Sequence, residues 1–143
     1  MNPITTDRRK LKKAFAELDA QGILARMNYW CCQGCGISAL TTEIKDERKT
    51  GRKIKGYVFF HEQDADSANE TGILWLAYGS ASGNEKTTIA VAKAVVKALE
   101  AAGLEVKWEG YPNVRICVTG VWRQKRFKTR KESLLQRMAR YFW

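Results

Sequence analysis

The chain has 143 residues and a formal net charge of +10, from 25 Lys and Arg against 15 Asp and Glu. Charged residues interrupt every apolar run, which argues against a membrane span, and the charged N-terminus lacks the apolar segment of a secretory signal. We therefore expect a cytoplasmic protein, with one domain at residues 1–122 and a separate segment at residues 123–143.

Helices and strands are predicted from the spacing of apolar residues and from turn signals. Their order indicates an α+β domain: a mainly antiparallel sheet of four to five strands, two packed helices and an extra basic C-terminal helix. A hairpin is the simplest pairing for the first two strands, and the polar residues 41–55 predict an exposed loop. In chain order, the predicted elements are a helix at residues 7–21, strands at residues 56–60 and 73–78, a helix at residues 84–101, and strands at residues 104–108 and 114–118.

The C-terminal segment differs in character from the rest of the chain. Thr129 and Glu132 have the spacing of a capping box, which predicts the start of a basic amphipathic helix. Its apolar face suits a groove on a partner protein, the core of this protein or a symmetric homodimer. That face consists of Leu134, Leu135, Met138 and Phe142.

Charge is sorted along the sequence. Residues 1–55 carry a net charge of +6, residues 56–110 carry −4 and residues 111–143 carry +8. Such segregation favours attraction to polyanions over distances that salt screening sets. It indicates a nucleic acid or a nucleoprotein complex as partner, with an acidic protein surface as a further candidate.

A non-enzymatic contact with nucleic acid is the leading functional hypothesis from the sequence. Lys and Arg neutralise phosphates, and Trp122 and Phe127 suit stacking on exposed bases. No DNA-reading or RNA-reading motif is recognisable, so the predicted binding follows the backbone and is poorly sequence-specific. The predicted contact residues are Arg123, Lys125, Arg126, Lys128, Arg130 and Lys131, joined by Arg8, Arg9, Lys12 and Lys13 of the first helix.

The cysteines supply the rival hypothesis, since three of the four fall within five positions. Cys32 and Cys35 have Cys-x-x-Cys spacing, which can place two thiolates on one tetrahedral metal ion. If His61 and Cys117 converge on that pair, the four residues complete a zinc site. We therefore expect either a zinc cofactor or none. Buried structural cysteines, or a reactive thiol paired with His61, are the alternatives that stay open.

A glycine- and serine-rich stretch at residues 79–87 lies between a predicted strand and a predicted helix. It superficially resembles a phosphate loop, but Lys86 does not directly follow Gly83 and Glu85 would repel phosphate. We interpret the stretch as a strand-to-helix turn in which Asn84 caps the helix.

Two segments resemble a family of small bacterial proteins of unknown function. Residues 28–36 contain the Cys-Cys-x-x-Cys-Gly element of that family, and residues 56–64 contain its Gly-Tyr-Val-Phe-x-His-x-Gln-Asp element. The likeness covers about residues 18–122 and implies a shared fold and a bacterial or mobile-element origin, but no activity. A phage-encoded modulator of host machinery is the conjecture that this origin suggests.

Overall fold

The computed structural model describes residues 3–119 of the chain, with side chains from Arg9 onward except that of Asn69. Helices and strands alternate along most of this range. In chain order they are α1 (Pro3–Ala20), β1 (Ile23–Arg26), α2 (Gln33–Lys49), β2 (Gly56–Phe59), α3 (Glu62–Thr71), β3 (Ile73–Ser80), α4 (Glu85–Ala101), β4 (Glu105–Lys107) and β5 (Ile116–Thr119).

The strands form one five-stranded sheet in the order β1-β2-β3-β5-β4. The pair β1–β2 is parallel, and the pairs β2–β3, β3–β5 and β4–β5 are antiparallel. The predicted α+β class with a mainly antiparallel sheet is therefore confirmed. The antiparallel pairing of the first two predicted strands, now β2 and β3, is also confirmed, although α3 rather than a tight turn connects them.

The two faces of the sheet have separate cores. One face packs against α1, α3 and α4 through a cluster that includes Leu74 and Leu76 of β3. Because successive strand side chains point to opposite faces, Ala77 lies on the other side. There α2 supplies Leu40 and Ile44 to a smaller cluster. The sheet is thus an inner layer with helices on both faces.

The prediction of only two packed helices missed α2 and α3, and the loop prediction for residues 41–55 was wrong up to Lys49. Helix α2 is mostly polar, and its buried residues Gly36, Leu40 and Ile44 form a single stripe at a spacing of four. Such a narrow stripe gives a weak periodic signal. The edge strand β1 was not among the predicted strands.

The predicted cap of α4 is confirmed, whereas the predictions for the C-terminal segment are not tested. Helix α4 begins directly after its cap Asn84, whose side chain accepts a hydrogen bond from the Lys86 N–H at 2.8 Å, as predicted. The amphipathic C-terminal helix, with Leu134, Leu135, Met138 and Phe142, lies outside the described residues, and so does residue 122, the proposed domain boundary. Between residues 3 and 119, no helix has the length and apolar character to cross a membrane.

Candidate metal centre

A six-residue connection between β1 and α2 contains Cys31 and Cys32 and leads into the helical turn that contains Cys35. Within it, Asn28 and Trp30 have φ angles of 50° and 63°, in the left-handed region that non-glycine residues rarely adopt. The turn is attached to the β2–α3 junction, because the Tyr29 N–H donates to the Phe60 carbonyl at 2.8 Å and the Glu62 N–H donates to the Trp30 carbonyl at 3.0 Å. These contacts fix the direction in which the chain enters α2.

Three cysteine sulfurs meet where α2 begins. Cys32 is the N-cap residue of the helix, Cys31 precedes it and Cys35 lies in the first turn. The Sγ atoms of all three lie within 4.8 Å of one another, and those of Cys31 and Cys32 are 3.9 Å apart. Two sulfur ligands of a tetrahedral zinc ion, each at about 2.3 Å, stand about 3.8 Å apart. The group therefore has nearly the spacing of a thiolate metal site before any adjustment.

A glycine sets how closely the cysteine-bearing end of α2 approaches the sheet. A Cβ atom at Gly36 would overlap the ring of Phe59 on β2, whereas a Cβ atom at Gly34 would meet no atom within 4 Å. The Gly36 N–H also donates to the Cys32 carbonyl at 3.0 Å, which closes the first helical turn. Gly36 therefore seats the helix against Phe59 while the sulfurs remain at the surface.

The pKa values of Cys32 and Cys35 are shifted in opposite directions. The nearby backbone N–H of Cys35 lowers the pKa of Cys32, and so do the thiols of Cys35 and Cys31. The neighbouring sulfurs of Cys32 and Cys31, through polar contact and through charge, raise the pKa of Cys35 to about 11. Cys32 thus ionises more readily than Cys35, and a bound cation would be needed to hold several thiolates together near neutral pH.

His61 is not a member of the sulfur group; it is part of a cap on α3. Its Nδ1 accepts a hydrogen bond from the Asp64 N–H at 3.3 Å, and its Nε2 lies 3.1 Å from Oδ2 of Asp64. Burial lowers the pKa of His61, and so does the charge of Arg115, against the opposing effect of Asp64. The Nδ1 atom is thus occupied by the cap and the ring lies against Asp64, which favours a structural, neutral imidazole over a metal ligand or a base for a thiol.

Cys117 is also separate from the sulfur group. It lies buried on β5, opposite Trp75 of β3 and Lys107 of β4 in the strand register. Burial raises the pKa of its thiol, which disfavours the thiolate that a metal would need. Of the predicted zinc ligands, the structure thus brings together Cys32 and Cys35 and adds Cys31, whose adjacency to Cys32 was the available signal in the sequence.

The residues predicted to bind nucleic acid are only partly described. Arg9, Lys12 and Lys13 are exposed on α1, while Arg8 is described only as a backbone position of that helix. The common basic surface formed with the C-terminal cations stays a prediction, because those residues lie outside the described range. They are Arg123, Lys125, Arg126, Lys128, Arg130 and Lys131.

Comparison with known proteins identifies the family of the chain. Searches among curated proteins and among solved structures gave no significant match. A family model described as Domain of unknown function (DUF6891) matches residues 2–127, a span that contains the three clustered cysteines and the His61–Asp64 cap. The expected membership of a family of unknown function is thereby confirmed. The bacterial origin and the two sequence elements assigned to that family stay predictions. The chain belongs to the DUF6891 family, whose function is unknown.

Proposed function

We propose that Cys31, Cys32 and Cys35 together bind a soft metal ion, with zinc as the first candidate. The observation that carries this proposal is the convergence of their three Sγ atoms within 4.8 Å. Thiolates are soft ligands that select ions such as Zn²⁺ and Cu⁺ over Mg²⁺ or Ca²⁺. Since mutual contact disfavours ionisation of Cys35, a cation among the sulfurs would also relieve the repulsion that several thiolates create.

Among the described residues, three protein ligands would leave the proposed site one open coordination position. Structural zinc sites have four protein ligands, whereas three protein ligands leave a place for water or an incoming group. Within the described part of the chain, the group contains these three cysteines and no His, Asp or Glu. Cys31 and Cys35 are exposed, and Trp30 beside them is 53% exposed. Such a site suits reversible metal binding and exchange with an external ligand better than a purely structural role.

Metal competition tests the proposal. Reduced protein is titrated with Zn²⁺ in the presence of a chromophoric chelator, and Co²⁺ is used in parallel because thiolate ligation gives a sulfur-to-cobalt charge-transfer band. We expect one ion per chain and loss of the band in Cys32→Ser and Cys35→Ser. The Cys117→Ala variant is the matched control and should bind normally, because Cys117 is outside the group. Equal binding by a variant that lacks all three clustered cysteines would contradict the proposal.

We propose contact with nucleic acid as a second function, on the strength of the exposed cations of α1. Arg9, Lys12 and Lys13 are all exposed and have i, i+3 and i+4 spacing, so they share one face of the helix. Three cations on one face of a helix can each neutralise a phosphate of a polyanion lying across them. Binding of this kind releases counterions and weakens steeply with salt.

Salt-dependent binding to mixed-sequence DNA and RNA tests this second function. Replacing Arg9, Lys12 and Lys13 by Gln should reduce the slope of log affinity against log salt by about 2–3, since each phosphate contact contributes about 0.9 for duplex DNA. The control replaces Lys93 and Lys97, two exposed lysines of α4, by Gln and should change the slope less. No binding at about 50 mM salt, or equal effects of the two sets, would contradict the proposal.

A further inference from the structure

A surface cleft lies at the opposite end of α2 from the cysteines. Its volume is about 400 Å³, within the usual range for small-molecule sites. The cleft is formed by the turn between α1 and β1, the last turn of α2, the connection to β2 and the first turns of α4. Arg48, which lines it, is 13 residues beyond Cys35 on the same helix, or about 20 Å at 1.5 Å per residue. The cleft is therefore distinct from the proposed metal site.

The inner wall of the cleft is aliphatic. Ile23, Ile54 and Val91 line it, and they are only 2%, 4% and 4% exposed. Ala90 and Ala94 of α4 continue this wall with small side chains. The space remains because alanine side chains leave room where longer ones would fill it. Because the three larger residues are already almost fully buried, an aliphatic part of a ligand would gain hydrophobic free energy mainly by covering the exposed Ala90 and the half-buried Ala94.

The polar groups of the cleft favour an anion. Arg48 and Lys55 line it, and none of the described residues that line it is acidic. Arg48 is held in place because its Nη2 donates to the Ile54 carbonyl at 3.1 Å, which leaves further guanidinium donors. The hydroxyls of Ser82 and Thr87, which also line the cleft, are 2.8 Å apart and bond to each other. The lining thus combines an aliphatic wall with two cations.

We infer that this cleft binds a small amphipathic anion, in which an aliphatic group lies along the aliphatic wall and covers Ala90 and Ala94, and a carboxylate lies at Arg48 and Lys55. The charge of the lining selects an anion over a neutral or cationic ligand of the same length. The aliphatic wall selects the amphipathic anion over a free inorganic one. This inference is independent of the metal site and of nucleic-acid binding.

Matched probes test the inference on the full chain. Octanoate, octan-1-ol, octylammonium and inorganic phosphate are titrated separately, and amide chemical shifts are followed by NMR. We expect octanoate to shift amides at Ile54, Lys55, Ala81 and Val91, and to bind about tenfold more tightly than octanol, as one charge-assisted contact allows. Equal binding of octanol, preferred binding of octylammonium, or shifts confined to other regions would overturn the inference.

Two kinds of variant locate the ligand. Lys55→Gln removes an exposed cation from the lining and should weaken octanoate several-fold while leaving octanol unchanged. Ala94→Phe should fill the apolar side and weaken both. The control is Lys97→Gln on the outer surface of α4, which removes the same charge outside the cleft. If Lys55→Gln and Lys97→Gln have equal effects, the attraction is a general property of a basic protein and the inference fails.

Discussion

Both terminal nitrogens of the Arg115 guanidinium group donate hydrogen bonds to the carboxylate of Asp64. The distances are 2.9 Å from Nη1 to Oδ1 and 2.6 Å from Nη2 to Oδ2. The Asp64 side chain is 7% exposed, and its Oδ2 also accepts a hydrogen bond from the backbone N–H of His61 at 3.2 Å. Arg115 donates as well to the Trp75 carbonyl of β3 at 3.0 Å. One residue beside β5 thereby joins the first turn of α3 to the centre of the sheet.

Replacing Arg115 by Met should lower the free energy of unfolding by about 2–3 kcal/mol, because the buried Asp64 carboxylate loses a bidentate partner. The estimate is below the full cost of a buried pair, since the Arg115 side chain is 30% exposed. Urea denaturation measures the change. Lys107→Met on neighbouring β4 is the control, and because Lys107 is exposed its effect should stay within about 0.5 kcal/mol. Similar losses in the two variants would contradict this role of Arg115.

The pH dependence of stability should report on His61. Burial lowers its pKa in the folded state below the ordinary value of 6.5, so the unfolded chain binds this proton more readily. The contribution of His61 is complete above pH 6.5 and is lost as the pH falls through the folded-state pKa. His61→Asn keeps an N-cap side chain and removes the titration. Its free energy of unfolding should therefore fall less than that of the parent between about pH 8 and about pH 5; parallel curves would refute the assignment.

Gly36→Ala should destabilise the fold by about 1–3 kcal/mol, because the new methyl group must displace the Phe59 ring or the start of α2. The variant should also weaken zinc binding, since Cys35 lies in the same turn. Gly34→Ala is a matched control in that turn with open space around it, and it should be neutral or stabilising by up to about 1 kcal/mol. Thermal unfolding and zinc competition measure both effects. Identical behaviour of the two variants would show that contact with Phe59 does not matter.

Alkylation should distinguish the cysteines in the metal-free protein. Iodoacetamide reacts with thiolates, so Cys32, whose pKa is lowered, should react before Cys35, whose pKa is raised to about 11. Cys117 is buried and should react only when the protein is unfolded. Peptide mass spectrometry after timed quenching gives the order. Saturating zinc should slow the reaction of all three clustered cysteines. Earlier modification of Cys35 than of Cys32 would contradict the opposite pKa shifts of these two thiols.

The sequence revealed the elements whose apolar residues are regularly spaced. Helix α4 buries Val91, Val95 and Leu99, which repeat at a spacing of four, and its predicted start and end hold to within one residue. Helix α3 escaped prediction because it contributes only the small residues Ala65 and Ala68 to the core among acidic neighbours. Its start is marked by a capping box in which His61 replaces the usual Ser or Thr, so the familiar signal was absent.

The candidate site was predictable only in part. Cys-x-x-Cys spacing was enough to single out Cys32 and Cys35, because residues three apart share one side of a helical turn. Cys31 joins the sulfur group through the extended backbone of Cys32, which has φ −154° and ψ 170°. No local sequence pattern specifies that conformation. The position of Cys117 follows from strand order, which is a long-range property of the fold. His61 is held by a local cap with Asp64, in which histidine takes the place of the usual capping residue.

The lengths of the two outer strands influence how copies of the chain can meet. Strand β1 has four residues and β4 has three, and the outward side chains of β4 are the charged residues Glu105 and Lys107. A strand of a second sheet that paired with the edge strand β1 or β4 would gain few backbone hydrogen bonds. At β4 it would also approach charged side chains. Extension of the sheet into fibres through β1 or β4 is therefore disfavoured.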